Sequence, residues 1–324
     1  MLSALLWCIA GIVVLVAGAE VVVRAGARVA ADLGIPPLIV GLTIVAIGTS
    51  APELAVGIEA ALQGSGALAV GNIAGTNTLN LLLILGLSAL IDPLALRLQT
   101  LRLDLPVMVA SAFALLAMAW DGVLTRTEGA AMVAGAIVYT AVIVRLSQRE
   151  SLRVKAEYIE EFGVSPRERS RVETIVNLAG LMLGITIIII GAEWLVDGGV
   201  TLARGLQISE ALIGLTVVAI GTSMPELVTT IVGTIRKERD VAVGNLLGSS
   251  IYNILAILGI TCLVPAEGVR FGPELVSVDI PVMAFVACIC GPVFFTGRRV
   301  SRIEGLLFVT GYAAYLVYLV TNRT

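Results

Sequence analysis

Long apolar runs separated by short polar segments dominate this chain. Each run approaches or exceeds the roughly 20 residues that an α-helix needs to cross the hydrocarbon core of a bilayer. The first run has no basic segment before it and is too long for the core of a signal peptide, so we expect a retained helix. The pattern predicts an all-α integral membrane protein with ten transmembrane helices, predicted spans 1 to 10, at residues 4–23, 36–62, 67–91, 105–120, 128–146, 174–200, 211–235, 241–264, 280–296 and 303–321.

Composition supports a membrane protein and narrows its chemistry. Of the 324 residues, 58% are hydrophobic and 14% are charged, and the mean hydropathy is +1.00. Soluble domains carry about 25% charged residues. The chain has no histidine, which excludes zinc hydrolases, histidine proton relays and histidine-ligated haem. The four cysteines lack CxxC spacing and are expected to be buried apolar side chains, and the net charge of −3 gives no indication of a nucleic-acid partner.

The basic residues predict the orientation of the spans, because lysine and arginine near span ends stay in the cytoplasm. All 21 lie in or beside the loops after odd-numbered predicted spans, except Arg126, Arg204, Arg270 and Arg323. Both termini are therefore expected on the extracytoplasmic side of the inner (plasma) membrane. The polar stretch 148–173 is expected to be a cytoplasmic linker between a first repeat, 1–147, and a second, 174–324.

An internal repeat is the most informative feature of the chain. The segments that begin at Gly41 and, 173 residues later, at Gly214 read GLTIVAIGTSAPEL and GLTVVAIGTSMPEL. The same offset aligns GNIAGTNTLN, from Gly71, with GNLLGSSIYN, from Gly244. Five spans per half is an odd number, so the halves should have opposite orientations in the membrane. Inverted repeats are typical of secondary transporters, whose substrate site lies at the midplane between the repeats.

The first motif places a proline and a glutamate inside predicted spans 2 and 7. Proline removes a helical hydrogen bond and frees carbonyls about one turn earlier, so we expect both helices to be broken. Glu53 and Glu226 are costly at this depth unless a proton or a cation neutralises them, and neither span contains Lys or Arg. One such motif could be a kinked helix whose small polar residues aid packing, but its duplication favours a binding site. The neutral oxygens available there belong to Ala46, Thr49 and Ser50, and to Ala219, Thr222 and Ser223.

The second motif adds amides and hydroxyls. A polar stripe runs along predicted span 3 and another along span 8, and in lipid such stripes must face protein or a cavity. Carboxylates, amides, hydroxyls and carbonyls, without histidine or thiolate, are typical ligands of hard cations such as Ca²⁺ and Na⁺. The stripes contain Asn72, Thr76, Asn77 and Asn80, and Asn245, Ser249, Ser250 and Asn253.

These four motifs resemble those of the sodium/calcium exchanger family, within the cation/Ca²⁺ antiporter superfamily, in a compact prokaryotic form. The resemblance covers both repeats and therefore nearly the whole chain. It implies a ten-helix fold in which predicted spans 2, 3, 7 and 8 hold the ions and movement of spans 1 and 6 opens the site.

The resemblance also implies ligands by position. Ca²⁺ ligands fall on the carboxylates of Glu53 and Glu226 and the carbonyls of Thr49 and Thr222. One Na⁺ site falls on Ala46, Ser50, Glu226 and Ser249, and another on Ala219, Ser223, Glu53 and Thr76. Asn80 and Asn253 fall on the central position. Similar exchangers that move K⁺ have an acid where Asn253 lies, so the asparagine argues against K⁺ dependence.

The implied function is Na⁺/Ca²⁺ antiport by alternating access. Two carboxylates neutralise one Ca²⁺, whereas three Na⁺ leave one positive charge, so exchange of about three Na⁺ per Ca²⁺ would be electrogenic. H⁺/Ca²⁺ antiport, with Glu53 and Glu226 as proton carriers, is the alternative. A cation channel is disfavoured by the duplicated acidic pair, and an enzyme by the lack of a Ser/His or metal–His arrangement. Apart from the transported ions and the lipid bilayer, we expect no cofactor and no obligatory protein partner.

Two further aspartates are assigned a structural role. Asp104 and Asp279 each precede a Leu-Pro or Ile-Pro pair at the start of predicted spans 4 and 9. An aspartate followed by proline in the first turn is typical of a helix N-cap. We therefore expect both side chains to cap their helices.

Overall fold

The computed structural model describes residues 2–162, 171–206 and 219–323, without the side chains of 147–171, 219 and 323. Helices account for most of these residues. In chain order they are α1 Leu2–Leu33, α2 Pro37–Thr49, α3 Ala51–Leu62, α4 Gly66–Ile91, α5 Thr100–Asp121, α6 Arg126–Phe162, α7 Arg171–Gly205, α8 Ala219–Thr222, α9 Met224–Ile235, α10 Arg239–Leu263, α11 Leu275–Phe295 and α12 Arg302–Arg323.

Eight of the described helices are long and apolar enough to cross a membrane, and α2 with α3 can form a ninth span, bent by 42°. The prediction of a helical multi-pass membrane protein is confirmed. Predicted span 7, at 211–235, extends into residues 207–218, which lie outside the described residues, and its described part is α8 and α9. The predicted linker 148–173 includes 163–170, also outside them, and is helical up to Phe162 as the end of α6.

Two short breaks interrupt the helices that carry the glutamates. Ser50, with φ −84° and ψ 11°, separates α2 from α3, and Ser223, with φ −87° and ψ 3°, separates α8 from α9. Pro52 and Pro225 each take the second position of the helix that follows. The first-turn N–H groups of a helix have no helical partner, so a proline is tolerated there. The break predicted in each repeat is therefore present, and at the equivalent residue.

The helices form a central group and a separate pair. In the most apolar 18-residue stretch of α4 and of α10, 78% of the residues are buried, against 11–44% in the corresponding stretches of the other spans formed by one helix. These two helices therefore lie at the centre. A large apolar cluster surrounds them. A second cluster joins α1 to α7, for example through Leu15 and Ile188, and reaches the central group through Val40 of α2 and Val241 of α10.

Helices α1 and α7 pack antiparallel with their backbones in close approach. Small residues permit this, as is common between membrane helices. A Cβ atom added to Gly191 would lie 2.7 Å from the backbone nitrogen of Leu15. The pairs in contact, in order along α1, are Gly11 with Leu195, Leu15 with Gly191, Gly18 with Ile188 and Val22 with Gly184.

Contacts between the connecting segments sort them into two sets. Strand β1 (Leu94–Ala95) pairs antiparallel with β4 (Arg299–Val300), and β2 (Val123–Leu124) pairs antiparallel with β3 (Val269–Arg270). The first pair joins the segments after predicted spans 3 and 9, and the second joins those after spans 4 and 8. The segments that follow odd-numbered predicted spans form the basic set, since they carry most of the lysines and arginines. Three ion pairs link parts of this set: Arg97 with Asp240, Arg239 with Asp92, and Arg236 with Glu20 near the end of predicted span 1.

The assignment of Asp104 and Asp279 as N-caps is wrong. Each lies at the end of a π-helical turn that begins its helix four residues earlier, at Thr100 and Leu275, and neither side chain makes a cap hydrogen bond. Instead, the hydroxyl of Tyr139 donates to Asp104 Oδ1 at 3.0 Å, and that of Tyr315 donates to Asp279 Oδ1 at 2.7 Å. Because both carboxyl groups are buried, a donor from another helix replaces the water that an exposed cap would have.

The close approach of α1 and α7 yields a stability prediction. Gly191→Ala should lower the thermal unfolding midpoint of the detergent-solubilised protein, since overpacking of this kind costs about 1–3 kcal/mol. Gly291→Ala is the matched control, because no atom lies within 4 Å of the added Cβ atom. That variant should be neutral or slightly stabilising, since alanine is the better helix former. Equal shifts in both variants would contradict the close packing at Gly191.

Candidate cation site

Two carboxylates lie at the centre of the described structure. Glu53 is in the first turn of α3 and Glu226 is in the first turn of α9, directly after the two breaks. Both side chains are 0% exposed, and Ser50, which precedes the helix of Glu53, contacts Glu226. The positive end of each helix dipole favours a carboxylate at this position, but it does not supply the full countercharge that two neighbouring anions need.

Hydroxyl groups from one repeat contact groups of the other. Ser50 Oγ, in the first break, donates to Glu226 Oε1 at 3.1 Å. Ser223 Oγ, in the second break, lies 3.3 Å from Thr76 Oγ1 of α4. Each break therefore faces elements of the opposite half of the sequence, and the site is built from both halves together.

A backbone carbonyl on α2 lies beside two hydroxyl groups. The carbonyl oxygen of Ala46 lies 3.3 Å from Thr49 Oγ1 and 3.5 Å from Ser249 Oγ of α10. Glycines allow α2 and α10 to approach closely, since a Cβ atom on Gly248 would lie 2.6 Å from the carbonyl oxygen of Leu42. The close packing of these helices is what brings the Ser249 hydroxyl to the α2 backbone.

Amides complete the centre of the site. Asn253 Nδ2 donates to Asn77 Oδ1 at 3.2 Å, and Asn77 Nδ2 donates to the carbonyl oxygen of Ser250 at 2.9 Å. Asn80, on the same helix as Asn77, is also fully buried. These contacts join α4 to α10 along their polar stripes.

Several buried polar atoms of the site lack a hydrogen-bond partner among the described residues. Burial of such atoms without a partner is costly, above all for a carboxylate. Within residues 2–162, 171–206 and 219–323, no group of three or more His, Cys, Asp or Glu side chains converges on one point, so the charge of the centre comes from two glutamates. The unpartnered atoms are Glu53 Oε1 and Oε2, Glu226 Oε2, Asn80 Oδ1 and Nδ2, Asn253 Oδ1 and Thr229 Oγ1. A bound cation fits the six oxygens of this set, though not the donor nitrogen Asn80 Nδ2, because it would satisfy them and offset the charge of the carboxylates.

The structure brings most of the predicted ligands together. The group Ala46, Ser50, Glu226 and Ser249 is linked by the contacts described above. In the other predicted group, Thr76 and Ser223 are in contact, and Glu53 is fully buried in the first turn of α3. Thr49 and Thr222 are buried in α2 and α8. Ala219 begins α8, and its side chain lies outside the described residues.

Two polar contacts and one further buried hydroxyl group were not predicted from the sequence. Asn245 Oδ1 accepts from Thr49 Oγ1 at 3.1 Å, and Asn245 Nδ2 lies 3.3 Å from Thr230 Oγ1. Thr229 is also fully buried. Spacing could have revealed both threonines, since they follow Glu226 by three and four residues and so share its face of the helix.

The helical membrane fold and its buried oxygen-lined centre define a transporter of small cations. The sequence profile described as "Sodium/calcium exchanger protein" matches residues 3–145 and 176–321. The chain therefore belongs to the sodium/calcium exchanger family, and the resemblance seen in its motifs is confirmed.

Known proteins similar to this chain include relatives of the same length. The chain is 36% identical to the inner membrane protein YrbG of Escherichia coli K12, over 98% of this chain and 97% of that protein. It is 30% identical to the sodium/calcium exchanger MaX1 of Methanosarcina acetivorans, over 95% and 96%. A solved structure of the sodium-calcium exchanger NCX_Mj superposes with a TM-score of 0.81 at 25% identity, over 98% of both chains.

Because the carboxylates are unpartnered, removal of one should change thermal stability in opposite directions with and without a bound cation. Glu53→Gln should raise the thermal midpoint in chelator, because it removes one of two buried like charges. Added Ca²⁺ should stabilise the parent, by about 2.7 kcal/mol at one hundred times the dissociation constant, and should not stabilise the variant. Glu59→Gln, on the exposed face of the same helix, should behave as the parent does. Equal stabilisation of all three proteins would contradict the site.

Proposed function

We propose that this protein is a Na⁺/Ca²⁺ antiporter that works by alternating access. One observation carries the proposal: Glu53 and Glu226, one from each repeat, are fully buried, and three of their four carboxylate oxygens have no partner among the described residues. Two such anions in a membrane need a divalent cation or its equivalent in smaller cations. The family and the printed name of MaX1 support Na⁺ and Ca²⁺ as those ions.

The proposed ligands are those that the resemblance to the family implies by position, and the contacts described above support part of the set. Ca²⁺ lies on Glu53, Glu226 and the carbonyls of Thr49 and Thr222. Na⁺ ions occupy the two flanking groups of neutral oxygens, with Asn80 and Asn253 between them. Flanking Na⁺ sites that share the glutamates with Ca²⁺ make the two ions compete. The first flanking group is Ala46, Ser50, Glu226 and Ser249, and the second is Ala219, Ser223, Glu53 and Thr76.

We further propose ten spans in two inverted repeats, 1–147 and 174–324, joined by the linker 148–173. The packing of α1 against α7 supports this arrangement. The two helices are equivalent at the repeat offset of 173 residues, and they run antiparallel. The contact of Gly11 with Leu195 becomes that of Gly184 with Val22 when each residue is replaced by its equivalent in the other repeat. A two-fold axis in the membrane plane produces such paired contacts.

The orientation of the chain is also part of the proposal. The β1–β4 pair and the ion pairs join segments that follow odd-numbered spans, whereas β2–β3 joins segments that follow even-numbered spans. This sorting supports alternate spans ending on opposite sides. The basic set faces the cytoplasm, which puts both termini on the extracytoplasmic side of the inner membrane.

Alternating access is proposed to use the α1/α7 pair. The two helices of this pair pack closely against each other, and an apolar cluster that includes Val40, Val45 and Val241 joins them to the central helices. The site residues lie on the central helices instead. The pair can therefore move along the central group without dismantling the cross-linked ion site.

The coupling ion can be identified in proteoliposomes. An imposed Na⁺ gradient should drive Ca²⁺ uptake into vesicles that hold the purified protein, and a pH gradient alone should not. Paired neutral hydroxyls suit Na⁺, whereas proton coupling would need only the carboxylates. Glu53→Gln and Glu226→Gln should each abolish the flux, with Glu59→Gln as an active control. Uptake driven by the pH gradient alone would establish the H⁺/Ca²⁺ alternative, and normal flux in either site variant would remove the site assignment.

Charge balance predicts that transport is electrogenic. Ca²⁺ makes the two-carboxylate site neutral, whereas three Na⁺ leave one positive charge, so each cycle of about three Na⁺ per Ca²⁺ should move one net charge and respond to voltage by about 2.3 kcal/mol per 100 mV. Na⁺-driven Ca²⁺ flux should therefore change when a K⁺ diffusion potential is imposed with valinomycin. Flux that is insensitive to this potential would contradict the stoichiometry and leave the identity of the ions unaffected.

A further inference from the structure

The amide of Asn253 is held in one orientation. Its nitrogen, Nδ2, donates to Asn77 Oδ1 at 3.2 Å, and its oxygen, Oδ1, is buried without a partner among the described residues. An asparagine amide carries an acceptor at one end and donors at the other, so which end faces a cation decides whether it attracts or repels that cation.

The orientation originates in a backbone carbonyl. Asn77 Nδ2 donates to the carbonyl oxygen of Ser250 at 2.9 Å. A backbone carbonyl can only accept a hydrogen bond, so the Asn77 amide must present its nitrogen to Ser250 and its oxygen to Asn253. Asn253 must in turn present its nitrogen to Asn77, which leaves the Asn253 oxygen for the ion site.

We propose that Asn77 is a positioning residue that fixes Asn253 as an oxygen donor to the transported cation. The inference rests on the proposed function, because it assigns Asn253 to the ion site of that function. Asn77 itself has both polar groups engaged, its nitrogen with Ser250 and its oxygen with Asn253, so it acts through Asn253 without contacting the ion. Mutation of a group that orients a ligand typically costs about tenfold to a hundredfold in metal affinity.

Among the described residues, the other repeat shows no equivalent of this pair of hydrogen bonds. Asn80 is equivalent to Asn253 at the repeat offset, and both of its amide atoms lack partners among the described residues. The residue equivalent to Asn77 is Ser250, whose hydroxyl donates to the carbonyl oxygen of Leu246 on its own helix, at 3.0 Å. Of the two central amides, the structure therefore orients Asn253 and not Asn80.

A carboxylate at position 253 would need no such orientation, since both of its terminal atoms are oxygens. This difference provides the test. Asn77→Leu, which is similar in shape to the parent residue, should weaken Ca²⁺ binding by about tenfold to a hundredfold in the parent chain. In the N253D background the same change should cost little or be favourable, because the oxygen of Asn77 there faces a carboxylate oxygen.

The measurement is equilibrium binding of ⁴⁵Ca²⁺ to the purified full-length chain in detergent, with thermal midpoints recorded for each variant. Ser250→Ala is the matched control, since it removes the hydroxyl at the equivalent position and keeps the backbone carbonyl that anchors Asn77. It should bind Ca²⁺ as the parent does. If Asn77→Leu fails to fold, the smaller Asn77→Ala is measured in the same two backgrounds.

Different results would overturn the role of Asn77 and the proposed function. An equal loss of Ca²⁺ affinity in both backgrounds would mean that Asn77 serves packing alone and would overturn the inference. A parent protein that binds no Ca²⁺ would overturn the proposed function instead. A large loss confined to the parent background, with Ser250→Ala unchanged, supports Asn77 as the positioning residue.

Discussion

Two carboxylates that cannot reach water impose the organisation of this molecule. Glu53 and Glu226 lie in membrane helices without a cationic side chain in either motif-bearing span, and their cost in a medium of low dielectric must be offset by something bound. The helix breaks at Ser50 and Ser223 place both glutamates at helix N-termini. The hydroxyls, amides and carbonyls around them add neutral oxygens without further charge. With both carboxylates ionised, the centre carries a net charge of −2, which one divalent cation neutralises. The antiport mechanism that we propose depends on that match.

The same centre makes each half of the chain incomplete without the other. Ser50 of the first half contacts Glu226 of the second, and Ser223 of the second contacts Thr76 of the first. The close approach of α2 and α10 adds the contact of Ser249 with Ala46. These contacts join the central helices to one another, so under the alternating access that we propose they stay in place while α1 and α7 move. The glycine-lined interface of α1 and α7 holds the two moving helices together.

The two halves share one polar contact and differ in another. In both halves a tyrosine hydroxyl donates to a buried aspartate, Tyr139 to Asp104 and Tyr315 to Asp279. Asn77 and Ser250 are equivalent positions that do different things, because an asparagine reaches across to the opposite helix and a serine hydroxyl returns to its own backbone. One central amide is thereby oriented and the other is not, so the two sides of the ion site need not bind cations equally.

The sequence by itself determined the helical, multi-pass membrane character, the duplication of the motifs, the two helix breaks and the oxygen-rich character of the centre, because hydropathy, proline position and residue type are local properties of the chain. The family followed from the same motifs. The tertiary structure decided which oxygen meets which, since partners such as Thr49 and Asn245 are 196 residues apart and their contact depends on how closely α2 and α10 pack. It also decided that Asp104 accepts a hydrogen bond from a tyrosine instead of capping a helix. In the same way, Asn253 gives its nitrogen to Asn77 and leaves its oxygen without a partner among the described residues. Hydrogen bonds are short and directional, so a difference of one ångström in helix packing selects among partners that the sequence leaves equivalent.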